Sequence, residues 1–387
     1  MNAQFTRGAL FLMLTCLPTQ TVWAQAPALR CERPSPAPAP HEDAPEREPR
    51  SLQEHYSRAV ALQRKGDHRN AIRYFTSTIA LDPCLAQAHL GRGESQELTG
   101  LLEGATVDYS NAVRINPTDA RGFFSRARVL LRQGQGKRAI EELDHAIRLE
   151  PGAARGYQSR AAIYAAMRED DRSIPDYDEA IRIDPNYALA FLGRGDAYAR
   201  KGQPALAVND YSEAIRINPA NPAAWFARGI SHSRQGDAQR ATEDFSEAIL
   251  RKPDYGIALR NRALSLRKLG QIDRAMADFD AAIRADAKDT VSLNELAWIL
   301  ATSPQAERRD GKRAVELSSN ACTLTGWRVP GLIDTHAAAL AEAGDFDGAV
   351  RWQAVALEFT DFAKAEGVGA RARLQMYRER KPFRSND

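Results

Sequence analysis

Large apolar, small and large residues recur along the chain at the spacing i, i+4, i+7. They are followed by a second set that runs small, aromatic, small at the same spacing. Phe191, Gly195 and Tyr198 form one example of the first set, and Trp225, Gly229 and His232 another. The second set is seen in Ala207, Tyr211, Ala214, in Ala241, Phe245, Ala248 and in Ala275, Phe279, Ala282. This spacing lays each set along one face of a helix. The pattern therefore predicts pairs of helices, A and B. Their small residues let neighbours approach, and the aromatic side chain fills the space between them. The whole pattern returns every 34 residues and ends on a proline each time, at Pro83, Pro117, Pro151, Pro185, Pro219 and Pro253. Proline stops helix B, because it lacks the backbone N–H that the next turn would use. A fixed period of this length signals stacked units that pack on their neighbours rather than around one core.

Helices A and B are joined at Gly66, Gly100, Gly134, Gly202, Gly236 and Gly270, where glycine accepts a left-handed backbone. The fourth unit has Arg168 at this place, and the seventh has Ala287 in place of its proline. An eighth unit starts with Leu293, Ala297 and Leu300. Its helix B alanine, Ala314, comes late, so the run 303–311 reads as an enlarged inter-helix loop. A ninth unit follows with Ile333, Ala337, Leu340, Ala349 and Ala356. Large-small-large on helix A, Ala-aromatic-Ala on helix B and the closing proline resemble the tetratricopeptide repeat family over roughly residues 52–358. The resemblance implies an all-α fold, a right-handed superhelical solenoid of antiparallel helix pairs. The expected organisation is a signal peptide over 1–24, a Pro/Ala-rich linker over 25–50 and seven units over 51–289. Two atypical units over 290–360 and a C-terminal capping helix and tail over 361–387 complete it.

The two ends change the picture more than the bulk composition does. Arg7, the apolar run 9–17 and Val22-Trp23-Ala24 read as a cleavable export signal, too short to span a membrane. The expected location is therefore periplasmic or secreted. Pro34, Pro36, Pro38, Pro40, Pro45 and Pro49 make the next stretch a semi-rigid spacer. Export would leave Cys31, Cys84 and Cys322 in an oxidising compartment. Two readings stay open: Cys31 pairs with Cys84, or all three are unpaired.

Charge is nearly balanced, with 53 basic and 50 acidic residues interspersed, so no basic stripe for nucleic acid emerges. One charge pattern repeats. Arg58, Arg92, Arg126, Arg160, Arg194, Arg228 and Arg262 precede the small residue of helix A. Asp108, Asp176, Asp210, Asp244 and Asp278 precede the aromatic of helix B, and Glu142 stands at the same place before Leu143, with Tyr74 the exception in the first unit. These two sets predict a structural ladder of ion pairs, since guanidinium suits bidentate carboxylate pairing. The functional alternative is an arginine stripe that reads an anionic ligand. By resemblance to the family, the residue after each large helix A position lines the concave groove: Tyr56, Leu90, Phe124, Leu192, Phe226 and Arg260. Gln158 occupies the same place in the fourth unit. No HExxH, GxSxG or CxxC motif is present, and Gly134-Gln135-Gly136-Lys137 reads as a turn rather than a phosphate loop. No catalytic residue, cofactor or metal is expected.

These features predict a non-catalytic protein–protein scaffold of the bacterial envelope that binds a protein or peptide segment in its groove. It should use no nucleic acid and make no stable membrane insertion, and it leaves self-association open. Two other classes compete: an envelope enzyme or accessory subunit acting on cell-wall or exopolysaccharide, and a self-assembling structural solenoid.

Overall fold

The computed structural model describes residues 50–385. The segments expected to be an export signal and, for nearly all of its length, a linker lie outside them. The described chain forms consecutive helices: α1 (Leu52–Arg64), α2 (His68–Leu81), α3 (Ala86–Leu98), α4 (Leu102–Ile115) and α5 (Ala120–Arg132). Then come α6 (Gly136–Leu149), α7 (Ala154–Ala166), α8 (Asp170–Ile183), α9 (Ala188–Arg200) and α10 (Pro204–Ile217). The series continues through α11 (Pro222–Arg234), α12 (Ala238–Arg251), α13 (Gly256–Lys268), α14 (Ile272–Ala285) and α15 (Thr290–Thr302). It closes with α16 (Gly311–Leu324), α17 (Pro330–Glu342), α18 (Phe346–Glu358), α19 (Thr360–Ala365) and α20 (Gly367–Arg378). No strand occurs among the described residues. The fold is an all-α solenoid of paired helices, grouped into two compact units divided between Val129 and Leu130, within α5.

Packing follows the small–aromatic register. Gly229 lies so close to Phe245 that an added Cβ would come within 2.8 Å of its ring. Gly195 stands in the same relation to Tyr211, at 2.7 Å. Phe245, Ala241 and Ala248 are fully buried, as are Phe279, Ala275 and Ala282. Burying one such aromatic ring stabilises by roughly 2–3 kcal/mol. The expected late start of helix B in the eighth unit corresponds to residues 303–310, where a short 3-10 turn, Ala306–Arg308, separates α15 from α16.

The C-terminal segment is more elaborate than a single capping helix. A break at Glu366 divides it into α19 and α20. Tyr377 of α20 is almost fully buried against Ala337, Ala341 and Ala349. The chain then returns toward α15. Ser385 donates its backbone N–H to the Thr302 carbonyl at 2.8 Å, and the Phe383 ring lies 5.9 Å from Trp298. Arg373 holds Asp334 at 2.8 Å and stacks over both Trp298 and Phe383.

Cys84 is disulfide-bonded, and its partner lies outside the described residues. The reading in which all three cysteines stay unpaired is therefore corrected. Cys322 is free and fully buried, and burial pushes its thiol up to about 12, so it stays protonated.

Candidate partner-binding site

Arginines on the A helices carry a regular hydrogen-bond pattern. In the first unit, Arg92 reaches Asp108 through Nε and Nη2, both at 2.7 Å. In the second unit the same two-point contact joins Arg160 to Asp176, Arg194 to Asp210, Arg228 to Asp244 and Arg262 to Asp278, with closest approaches of 2.6–2.7 Å. Arg126 belongs to the first unit and Glu142 to the second. The carboxylates are largely buried, while the arginines remain about one-fifth exposed. Burial pushes the Asp108 carboxyl up, but hydrogen bonds from His89 and Arg92 outweigh it and hold it below its ordinary value.

Each guanidinium has a further arm. Nη1 of Arg160 and of Arg194 reaches back to Asp144 and Asp178 on the preceding B helix, both at 2.6 Å. Thr76, Ser110, Ser212 and Ser246 take that role for Arg92, Arg126, Arg228 and Arg262 at 3.0–3.3 Å. One arginine thus fastens its own helix pair and the preceding one together. The residue two places after each acid supplies this second acceptor, a signal present in the sequence but indistinguishable there from an ordinary solvated helix face. The aromatic one turn earlier adds to the site: the Arg228 guanidinium lies 5.0 Å from the Trp225 ring.

The groove positions are half-buried wherever they occur. Tyr56 packs edge-on to Phe75 at 6.1 Å, and Leu90 packs on the cluster around Tyr109. Phe124 shares that first unit. In the second unit Phe226 lies 5.7 Å from Phe245 and 5.2 Å from Tyr255, so its ring also fills the seam between helices. Arg260 donates to Asp289 at 2.9 Å, and Gln158 accepts from Tyr187 at 3.4 Å.

Of these positions, Leu192 and Phe226 come together in one cleft of about 380 Å3 on the A helices α9 and α11, with Ile230 completing its apolar floor. The rim is charged. Arg168, Arg200, Arg234 and Asp196 all line the cleft. Arg200 is committed to Asp170, at 2.5 Å. Asp196 accepts the Tyr211 hydroxyl at 2.7 Å. Burial pushes the Asp196 carboxyl up, with the Tyr211 hydrogen bond and Arg200 working against it, and burial together with Asp196 pushes the Tyr211 hydroxyl up. Among the described residues, no His, Cys, Asp and Glu side chains cluster in a metal-holding set, and no helix is long and apolar enough to cross a membrane. Sequence reasoning noticed Arg168 only as a turn anomaly. It passed over Arg200 and Arg234, whose shared register at the ends of their helices reads as a solvated C-terminus.

Two repeat models match the chain. One, described as TPR repeat, covers residues 169–202 and 195–236. The other, described as tetratricopeptide repeat, covers 56–120 and 226–290. No curated protein matches at a significant level. Among solved structures, a tetratricopeptide repeat protein from Parabacteroides merdae is 16% identical with a TM-score of 0.50, covering 62% of this chain and 95% of its own. PilF of Pseudomonas aeruginosa is 17% identical, also with a TM-score of 0.50, covering 55% of this chain and 96% of its own. At these identities the likeness concerns the fold. The repeat models fall in register with the A–B pairs whose packing is described above, and the chain belongs to the tetratricopeptide repeat proteins.

Proposed function

We propose that this protein is a non-catalytic scaffold of the bacterial envelope that holds a segment of a partner protein against the groove face of its A helices. The observation that carries this reading is the repeated half-exposed apolar position on that face. Leu90 supplies it in the first unit, and Leu192 and Phe226 meet in a cleft in the second. Side chains that are partly packed yet still open to solvent lose little conformational freedom when a partner covers them. The disulfide at Cys84 supports an oxidising compartment, in keeping with the export signal read from the N-terminal sequence. The test is affinity capture from envelope extract with the full chain beside a Leu90→Glu, Leu192→Glu variant of unchanged helical circular dichroism. A protein held by the parent and released by the variant is the expected result. Equal capture by both, or retention of glycan alone, overturns the groove as the binding face.

A further inference from the structure

Arg168 stands where six other units carry a turn glycine, and it adopts the left-handed backbone that glycine would, with φ of 63°. An arginine in that conformation is disfavoured, so local geometry gives no reason for it. Its side chain is exposed and lines the cleft whose apolar floor is Leu192, Phe226 and Ile230. Arg234, at the end of α11, lines the same cleft and is also exposed. Among the described residues, neither guanidinium has a hydrogen bond or an ion pair, whereas the third rim arginine, Arg200, is held by Asp170. The cleft's own carboxylate, Asp196, is occupied by the Tyr211 hydroxyl. An apolar floor therefore lies under two uncommitted cations.

We infer that this cleft selects an extended peptide segment carrying an aspartate or glutamate within two residues of a bulky apolar side chain. The apolar side chain enters over Leu192 and Phe226, and the carboxylate meets Arg168 and Arg234. Two parallel N–H donors on a guanidinium match a carboxylate in a way that a lysine rim would not. The cleft volume of about 380 Å3 suits a few side chains of a strand-like segment rather than a whole folded surface. Charge also excludes the opposite choice, because a basic segment would place like charges against the rim.

This inference rests on the groove reading, and its test separates the two. Random dodecapeptides displayed on phage are selected against the full chain, and the enriched sequences are resynthesised and titrated by fluorescence anisotropy. Acidic residues beside Leu, Phe, Met or Trp should dominate. Arg168→Gly and Arg234→Gln should each weaken binding about fivefold, the effect of an ion pair near the top of the solvent-exposed range. Binding should also weaken with added salt. Arg168→Gly restores the residue favoured by the turn, so a folding defect cannot explain its effect. Arg182→Gln, an arginine paired with Glu179 away from the cleft, is the neutral control. Enriched peptides that lack acidic residues, or that bind both arginine variants as tightly as the parent yet are lost on Leu192→Glu, overturn the stated chemistry and leave the groove reading standing. Peptides indifferent to Leu192→Glu as well, or no enrichment at all, overturn both.

Discussion

At the residue scale, Asp210 shows what the arginine ladder contributes. It is only 5% exposed, and it receives two hydrogen bonds from Arg194. Removing it strands a mostly buried guanidinium that keeps only Asp178. Asp210→Ala should cost roughly 3 kcal/mol in urea unfolding, the low end for breaking a buried pair. A loss under about 1 kcal/mol would show that the pair behaves as an exposed one. Arg194→Lys should reproduce most of the loss, because an ammonium cannot bridge two acceptors with the same fork. Arg168→Gly works in the opposite direction, relieving left-handed strain, and should raise stability by about 1 kcal/mol in the same assay. His336 supplies a pH dependence. It sits edge-on to Trp327 and Trp352 at 5.3 and 5.8 Å, and burial, opposed only by Asp345, pulls it down to about 4. The unfolded chain takes up that proton first, near pH 6.5, so stability is intact above pH 6.5 and falls between 6.5 and 4. The loss should reach about 3 kcal/mol. The difference in melting temperature between the parent and His336→Phe, followed across that window, isolates this contribution from the other titrating groups.

At the element scale, the C-terminal return gives the clearest prediction. Phe383 and Arg384 fasten the tail to α15 and α17 through Trp298 and Glu342, the latter at 2.7 Å. Ending the chain at Arg378 should lower stability by about 2 kcal/mol, the burial of one aromatic side chain, measured as a shift in the urea midpoint. The sequence showed the helix pairs with their boundaries, because prolines such as Pro219 and close-packed glycines such as Gly229 are local requirements repeated at a fixed period. It could not show this return. Phe383 meets Trp298 and Ser385 meets Thr302, both more than 80 residues away, and no periodicity records them. The break at Glu366 is equally hidden, since no repeat period extends into that segment. The ladder was half legible. The arginine and its acid stand out as charges that recur at a fixed place in successive repeats. The second acceptors, Ser212 and Ser246 among them, are small polar residues of the kind every exposed helix face carries. Of the cleft, Leu192 and Phe226 are among the positions that the family resemblance assigns to the groove, but the rim depends on which turns and helix ends converge on it.

At the scale of the whole molecule, the connectivity of the second unit argues that damage should stay local. From α7 to α16 each helix packs mainly on its neighbours in the chain, so each B helix there touches the A helix of its own pair and the one that follows. In such a stack the free energy is a sum of terms for each repeat and each neighbour interface, and a lesion at one end need not unfold the other. Tyr377→Ala empties the site between α20 and the Ala337, Ala341, Ala349 surface, a substitution worth about 3–5 kcal/mol for a buried aromatic. If the terms are separable, hydrogen exchange should quicken in α17, α18 and α20, while amides of α9 to α12 keep the parent's protection. Uniform loss of protection from α7 to α20 would instead mean that the arginine arms, each clamping two successive helix pairs, weld the stack into one cooperative block. The same experiment on Asp210→Ala decides how far one clamp carries. If local opening reaches α9 and α11, the cleft floored by Leu192 and Phe226 owes its shape to the ladder carried on the same helices. The repeated ion pairs and this cleft would then be parts of one device.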